Sequence, residues 1–135
     1  MSKLSAFLNP VTTQEEKEVV ISKRFLDEKG NPAPFKIRAL TQEENDKITK
    51  QATRRTKEDG QSVERLDNAD YARRIILEAT VEPDFRAKEM CDRYGVPDPL
   101  QVPGKMLLSG EYRKLMDAIL ELSGFGDPLE DEVKN

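Results

Sequence analysis

Residues 35 to 40, Phe-Lys-Ile-Arg-Ala-Leu, alternate apolar and charged positions, with Phe35, Ile37 and Ala39 on one side and Lys36 and Arg38 on the other. That two-residue period is the mark of a strand with one buried face. The next four residues, Thr41-Gln42-Glu43-Glu44, change the period. They form a capping-box sequence, in which a threonine hydroxyl accepts from the amide three residues on and the glutamate carboxylate accepts from the threonine amide. A helix is expected from residue 42 to about 56, carrying little more than Ile48 and Ala52 on its apolar side. Upstream, Glu18 to Phe25 reads as a second strand, with Val19, Ile21 and Phe25 on one face and Lys23 interrupting it. Leu26 to Pro34 holds the Gly and Pro that turn the chain, so the two strands form a hairpin.

Three further helices follow by period. Asp67 caps a segment from Asn68 to about Thr80 whose Tyr71, Ala72, Ile75, Ile76 and Ala79 make a wide apolar face. After Glu82-Pro83, with the proline in a first helical turn, a shorter helix groups Ala87, Met90, Cys91 and Tyr94 and stops at Gly95. The proline-rich run from Val96 to Gly104 predicts irregular chain, as does the charged loop from Lys57 to Leu66. The last helix is capped by Ser109 and carries Tyr112, Leu115, Met116, Ile119 and Leu120 at i, i+3, i+4, i+7 and i+8. Gly124 then supplies the left-handed residue of a Schellman ending, with Phe125 after it. The expected architecture is α+β, an N-terminal β-hairpin followed by about four α-helices packed on one face. Residues 1–125 are expected to form a single domain and residues 126–135 an acidic, flexible tail.

Composition narrows the function classes. Hydrophobic and charged residues each make 36% of the 135, yet Leu, Ile, Val and Phe together number 32, enough for a core. The net charge of −4 divides unevenly: residues 1–66 hold thirteen basic and eleven acidic groups, residues 67–135 nine and fifteen. A general nucleic-acid binder shows a basic excess over a whole domain, and this chain has none. A lone Cys91 excludes an internal disulfide, and the apolar run Lys3 to Leu8 is too short for a signal peptide, so a cytoplasmic protein is expected. With no histidine, neither a Ser-His-Asp arrangement nor a zinc site of the usual ligands can assemble. The acidic pairs Glu15-Glu16, Glu43-Glu44 and Glu130-Asp131 sit at helix starts or in the tail, where caps and dipoles account for them. No catalytic residue, cofactor or metal is expected.

Two constellations remain. Lys47, Lys50 and Arg54 at i, i+3 and i+7, with Arg55 and Lys57 nearby, could meet phosphates, although Glu43, Glu44 and Asp46 on the same helix explain them as a solvated face with internal pairs. The apolar run Met106-Leu107-Leu108, leading into Tyr112, Leu115, Met116, Ile119 and Leu120, is either core or a helix-binding surface. The stripe exceeds the sector one helix can bury. At least two of Tyr112, Leu115, Met116, Ile119, Leu120, Leu107, Leu108 and Leu122 are therefore expected to be exposed. The next candidates for a partner surface are Leu4, Phe7 and Leu8, spaced i, i+3 and i+4.

Three blocks carry a resemblance over nearly the whole chain: LSAFLNP near the start, EVVISKRFLDEKGNPAPFKIRALTQEEN across the hairpin and first helix, and GKMLLSGEYRKLMDAILELSGF at the end. In order and spacing they resemble the XkdN-like tail assembly chaperones of phages and prophages of Gram-positive bacteria. The resemblance implies a binding protein without catalytic residues or cofactor. It implies a tape measure protein as the client, held until tail-tube subunits polymerise around it, with the tail-tube protein and a second copy of the chain as further candidate partners. The alternatives are a small prophage regulator using the Lys47 to Lys57 helix on nucleic acid, and a minor structural component of the tail.

Overall fold

Phe35 and Ile37 point into the protein at 2% and 0% exposure, and Lys36 and Arg38 lie half-buried on the other face. The alternation read from the sequence is thus the alternation of a central strand. The computed structural model describes residues 3–11 and 16–125. In it the strand β2, Phe35–Arg38, is paired antiparallel on both sides, by β1, Glu16–Val19, and by β5, Thr80–Glu82. Ile37 stands opposite Lys17 on one side and Thr80 on the other, and the register with β5 shifts between Lys36 and Ile37.

The described residues form six α-helices besides this sheet: α1 Ser5–Leu8, α2 Gln42–Ala52, α3 Asn68–Ala79, α4 Lys88–Tyr94, α5 Val102–Met106 and α6 Ser109–Leu122. The fold is α+β, with more helices than the four expected and two extra strands besides β5. The capping box is complete: the Glu44 amide donates to Thr41 Oγ1 at 3.2 Å and the Thr41 amide donates to Glu44 Oε1 at 3.0 Å. Asp67 caps α3 as expected, its Oδ1 accepting from the Asp70 amide at 3.0 Å. The Schellman hydrogen bonds close α6, from the Phe125 amide to the Leu120 carbonyl at 3.0 Å and from the Gly124 amide to the Glu121 carbonyl at 3.1 Å. Gly124 has φ +97, where a side chain would be strained.

Six expectations need correction. The first strand covers residues 16–19, not 18–25, because the Ser22 hydroxyl accepts from the Arg24 amide at 3.0 Å and bends the chain out of the ladder. Ile21 is nonetheless buried and Phe25 packs against the core. The helix α2 ends at Ala52, so residues 53–56 are not helical, and Lys57 to Leu66 is not an irregular loop. Both belong to a second hairpin, β3 Thr53–Glu58 with β4 Gln61–Leu66, joined by Asp59 at φ +52 and Gly60 at φ +79. Pro83 opens no helix; it follows β5 through a cis peptide. The proline-rich run is in part regular: Pro99–Gln101 makes a 3₁₀ turn capped by the Asp98 carboxylate, and Pro103 sits in the first turn of α5, where the missing amide costs nothing. Ser109 is the first residue of α6, not its cap. Leu108 holds the cap position and its amide donates to Glu111 at 2.8 Å.

The core lies between the three-stranded sheet and α3, α5 and α6. Ile75, Ile76 and Ala79 of α3 meet Leu115 and Ile119 of α6, with Phe35, Ile37, Phe85, Val102 and Met106 closing the cluster. Phe35 is ringed by Phe25 and Phe85, at 6.0 and 6.5 Å between centroids, in the tilted geometry aromatic pairs prefer. Each such side chain taken fully from water contributes about 1.5–3 kcal/mol.

The second hairpin has almost no core of its own. All of its side chains are exposed except those of Thr53 and Val63, which are half-buried, and cross-strand pairs hold it: Arg55 to Glu64 at 2.9 Å and Arg65 to Glu58 at 2.6 Å. Its two-residue turn needs positive φ at both positions. Gly60→Val is therefore expected to cost roughly 1–3 kcal/mol locally. Amide exchange should show lost protection at residues 53–66 and unchanged protection in α3 and α6. Loss of protection throughout would mean that the hairpin supports the core.

Candidate partner-binding surface

Arg24 ties the start of α6 to the chain after β1. Arg24 donates to both carboxylate oxygens of Glu111, through Nε at 3.0 Å and through Nη2, and the same Nη2 donates to the Met106 carbonyl at 3.1 Å. Glu111 also accepts from the Leu108 amide, so one carboxylate fixes the start of α6 and the chain after β1 together. Hydrogen bonds from Arg24, from the Ser22 side chain and from the Leu108 backbone hold its carboxyl down at about 2. A second clamp joins β2 to two helices: Arg38 reaches Glu44 of α2 at 2.6 Å and Glu78 of α3 at 3.0 Å, and Glu78 reaches Arg86 at 3.2 Å. The Arg38 hydrogen bond, aided by the Thr41 amide, takes Glu44 to about 2.

These depressed carboxylates set a pH dependence. A carboxyl whose folded value lies below its ordinary 4.5 stabilises the fold above that value and loses this as the pH falls toward the folded one. The urea midpoint should hold from neutral pH to about 4.5 and fall between about 4.5 and about 2. Glu44→Gln should lower the plateau and flatten part of that fall. A midpoint that rises on acidification would contradict the assignment of these pairs.

The eight candidate partner-binding residues divide in three. Met106, Leu107, Leu115 and Ile119 are buried, at 9%, 8%, 0% and 0% exposure; Tyr112, Met116 and Leu120 are half-buried; Leu108 is exposed at 61%. Leu122 is half-buried too. The expectation of at least two exposed side chains in this group is corrected, since Leu108 alone is exposed. The reason is packing on two sides: α6 lies against both α3 and β2, so its wide stripe is covered. Exposed apolar residues concentrate instead near the N-terminus, where Leu4, Phe7, Leu8 and Val11 are 59%, 81%, 68% and 90% exposed and α1 buries nothing. Val11 was missed by the periodicity because it follows Pro10, outside the helical spacing.

The basic row does not form. Lys47 and Lys50 lie on α2, but Arg54, Arg55 and Lys57 lie on β3, beyond the helix end. Arg54 donates to Asp70 at 2.8 Å and Arg55 to Glu64. Asp70, buried at 6%, also accepts from Arg74 Nε at 2.8 Å. Burial pushes its carboxyl up, but Arg74 and Arg54 outweigh that and it lies below the usual aspartate range. The cluster ties the second hairpin to α3. Among the described residues no group of three or more His, Cys, Asp or Glu is placed to hold a metal, and no helix is long and apolar enough to cross a membrane.

This architecture has relatives. The family model of the phage XkdN-like tail assembly chaperone protein matches residues 4–135. Protein YqbN of Bacillus subtilis strain 168 is 40% identical over 131 residues, covering 95% of this chain and 88% of its own length. The phage-like element PBSX protein XkdN of the same strain is 39% identical over 138 residues, covering 98% and 93%. A crystal structure of YqbN superposes with a TM-score of 0.73 at 36% identity, over 93% of this chain and 98% of that one. That family is one of assembly chaperones, not of enzymes. A chain matched along this length, with an α+β fold shared at such identity, belongs to the XkdN-like phage tail assembly chaperone family.

Proposed function

We propose that the protein binds the tape measure protein in the host cytoplasm and keeps it from aggregating until the tail tube assembles around it. The observation that carries this reading is where the apolar surface lies. In a chain that is 36% charged, Leu4, Phe7, Leu8 and Val11 stand exposed within eight residues, and Leu108 stands exposed at the start of α6. Such side chains cover apolar stripes of a helical client while the surrounding charge keeps the complex dispersed. Leu108, with the accessible parts of Tyr112, Met116 and Leu120, forms the C-terminal contact; Leu4, Phe7 and Leu8 form the N-terminal one. Met106, Leu107, Leu115 and Ile119 act by holding these in place. A regulator bound to nucleic acid is the weaker reading, because Arg54 and Arg55 are already paired with carboxylates.

The test is a pull-down of the co-expressed tape measure protein by folded variants. Leu108→Ser and Phe7→Ser are expected to keep the circular dichroism spectrum and thermal midpoint of the parent and to lose most of the captured client. Capture equal to the parent by a variant carrying both changes would place the client elsewhere.

A further inference from the structure

A groove between α3, α5 and α6 is not explained by the fold. Ala69 and Ala72 of α3, Gly104 of α5 and Leu100 of the preceding 3₁₀ turn line it with small and aliphatic groups, and Tyr112 of α6 adds its ring. None of the five is fully buried. A Cβ built at Gly104 would meet no heavy atom within 4 Å, so the glycine leaves open space where most residues would fill it. Small residues on facing helices allow a third backbone to approach closely, and the Tyr112 hydroxyl makes no hydrogen bond among the described residues.

The charge of this groove has one sign. Arg73 from α3 and Lys105 from α5 line it, and no carboxylate does. Lys105 has no ion-pair partner among the described residues. Arg73 stands 3.7 Å from Asp70, but that carboxylate is already taken by Arg54 and Arg74 at 2.8 Å each. One aspartate among three arginines leaves a local surplus of positive charge. Asp67 is engaged in the α3 cap, and Asp98 in the cap of the 3₁₀ turn.

We infer that this groove is a docking site for an amphipathic helix whose apolar stripe is edged by carboxylates. The apolar lining takes the stripe, and Arg73 and Lys105 pair with acidic residues beside it. A nucleic-acid strand would use the cations but leave the aliphatic lining unpartnered. The inference rests on the client-holding reading and adds the place and chemistry of one contact; of the residues assigned to the client above, Tyr112 alone lines this groove.

Two labelled helical peptides with the same leucine stripe, one flanked by glutamates and one by lysines, test it by fluorescence anisotropy against the full chain, with a duplex oligonucleotide as a third probe. The glutamate peptide is expected to bind at least about tenfold more tightly than the lysine peptide, a difference of about 1.4 kcal/mol. Arg73→Glu with Lys105→Glu, both exposed changes that spare the core, should reverse the order. Gly104→Trp should weaken both peptides by filling the groove. Equal affinities in parent and double variant, no binding of either peptide, or tight binding of the oligonucleotide lost in the same variant would overturn it. If Gly104→Trp still holds the tape measure protein in solution, the groove assignment falls and the proposed function stands. If the parent fails to hold it, the function falls and the peptide result stands.

Discussion

Ile37→Asp is expected to abolish cooperative thermal unfolding, leaving a chain without a sharp transition by circular dichroism. Ile37 is fully buried on the middle strand of the sheet, between Lys17 and Thr80 in register, in the core cluster with residues of α3 and α6. A carboxyl there is taken from water into an apolar cluster, and burying an unpaired polar group costs roughly 2–7 kcal/mol. The lost isoleucine burial adds about 1.5–3 kcal/mol. Together these match the whole stability of a small domain, about 5–15 kcal/mol. Lys36→Asp, one residue away on the other face, breaks a 3.9 Å pair with Glu16 and sets a carboxylate opposite Glu18 and Glu82. Its cost should stay near 1 kcal/mol. Small, equal effects from both changes would show that β2 is not the buried centre of the sheet.

Leu115→Ala and Leu108→Ala are expected to differ almost as widely. Leu115 lies at 0% exposure where α6 meets α3, and its truncation leaves a cavity that should cost about 2–5 kcal/mol in urea unfolding. Leu108, 61% exposed, should cost less than about 0.5 kcal/mol. This pair separates packing from surface within a run that reads as uniformly apolar.

That run shows why the fold was more legible than the site. A strand alternation beginning at Phe35, a capping box at Thr41 and Glu44 and a Schellman glycine at Gly124 are local devices, decided by a few neighbouring side chains, and all are present, although the strand ends at Arg38 and not at Leu40. The second hairpin is also local, but the helical period hides it. Its Asp59-Gly60 turn is a strong hairpin signal, but Thr53 to Glu58 has no apolar face and continues the charge pattern of α2, so the helical reading ran on past Ala52. The strand β5 is different in kind. Three residues, Thr80 to Glu82, become a strand because β2 offers them an edge, which a helix-period window cannot reveal.

The surface was harder still. Periodicity places Leu115, Ile119 and Leu120 on one stripe, but how much of that stripe is covered depends on α3 and β2 arriving from distant parts of the chain. The most exposed apolar residues are Phe7, Leu8 and Val11, beside a helix α1 that buries nothing, while others such as Leu26 and Leu108 stand singly along the chain. The Arg73 and Lys105 pair, 32 positions apart, had no sequence signal at all.

The decisive measurement is the soluble fraction of a phage tape measure protein, the proposed client, expressed alone and with this chain, with the tail-tube protein withheld. The tape measure protein should be found in the pellet when alone and move to the supernatant in a complex with this protein when co-expressed. A client that stays in the pellet beside folded, abundant partner, or that is equally soluble alone, would contradict a holding function.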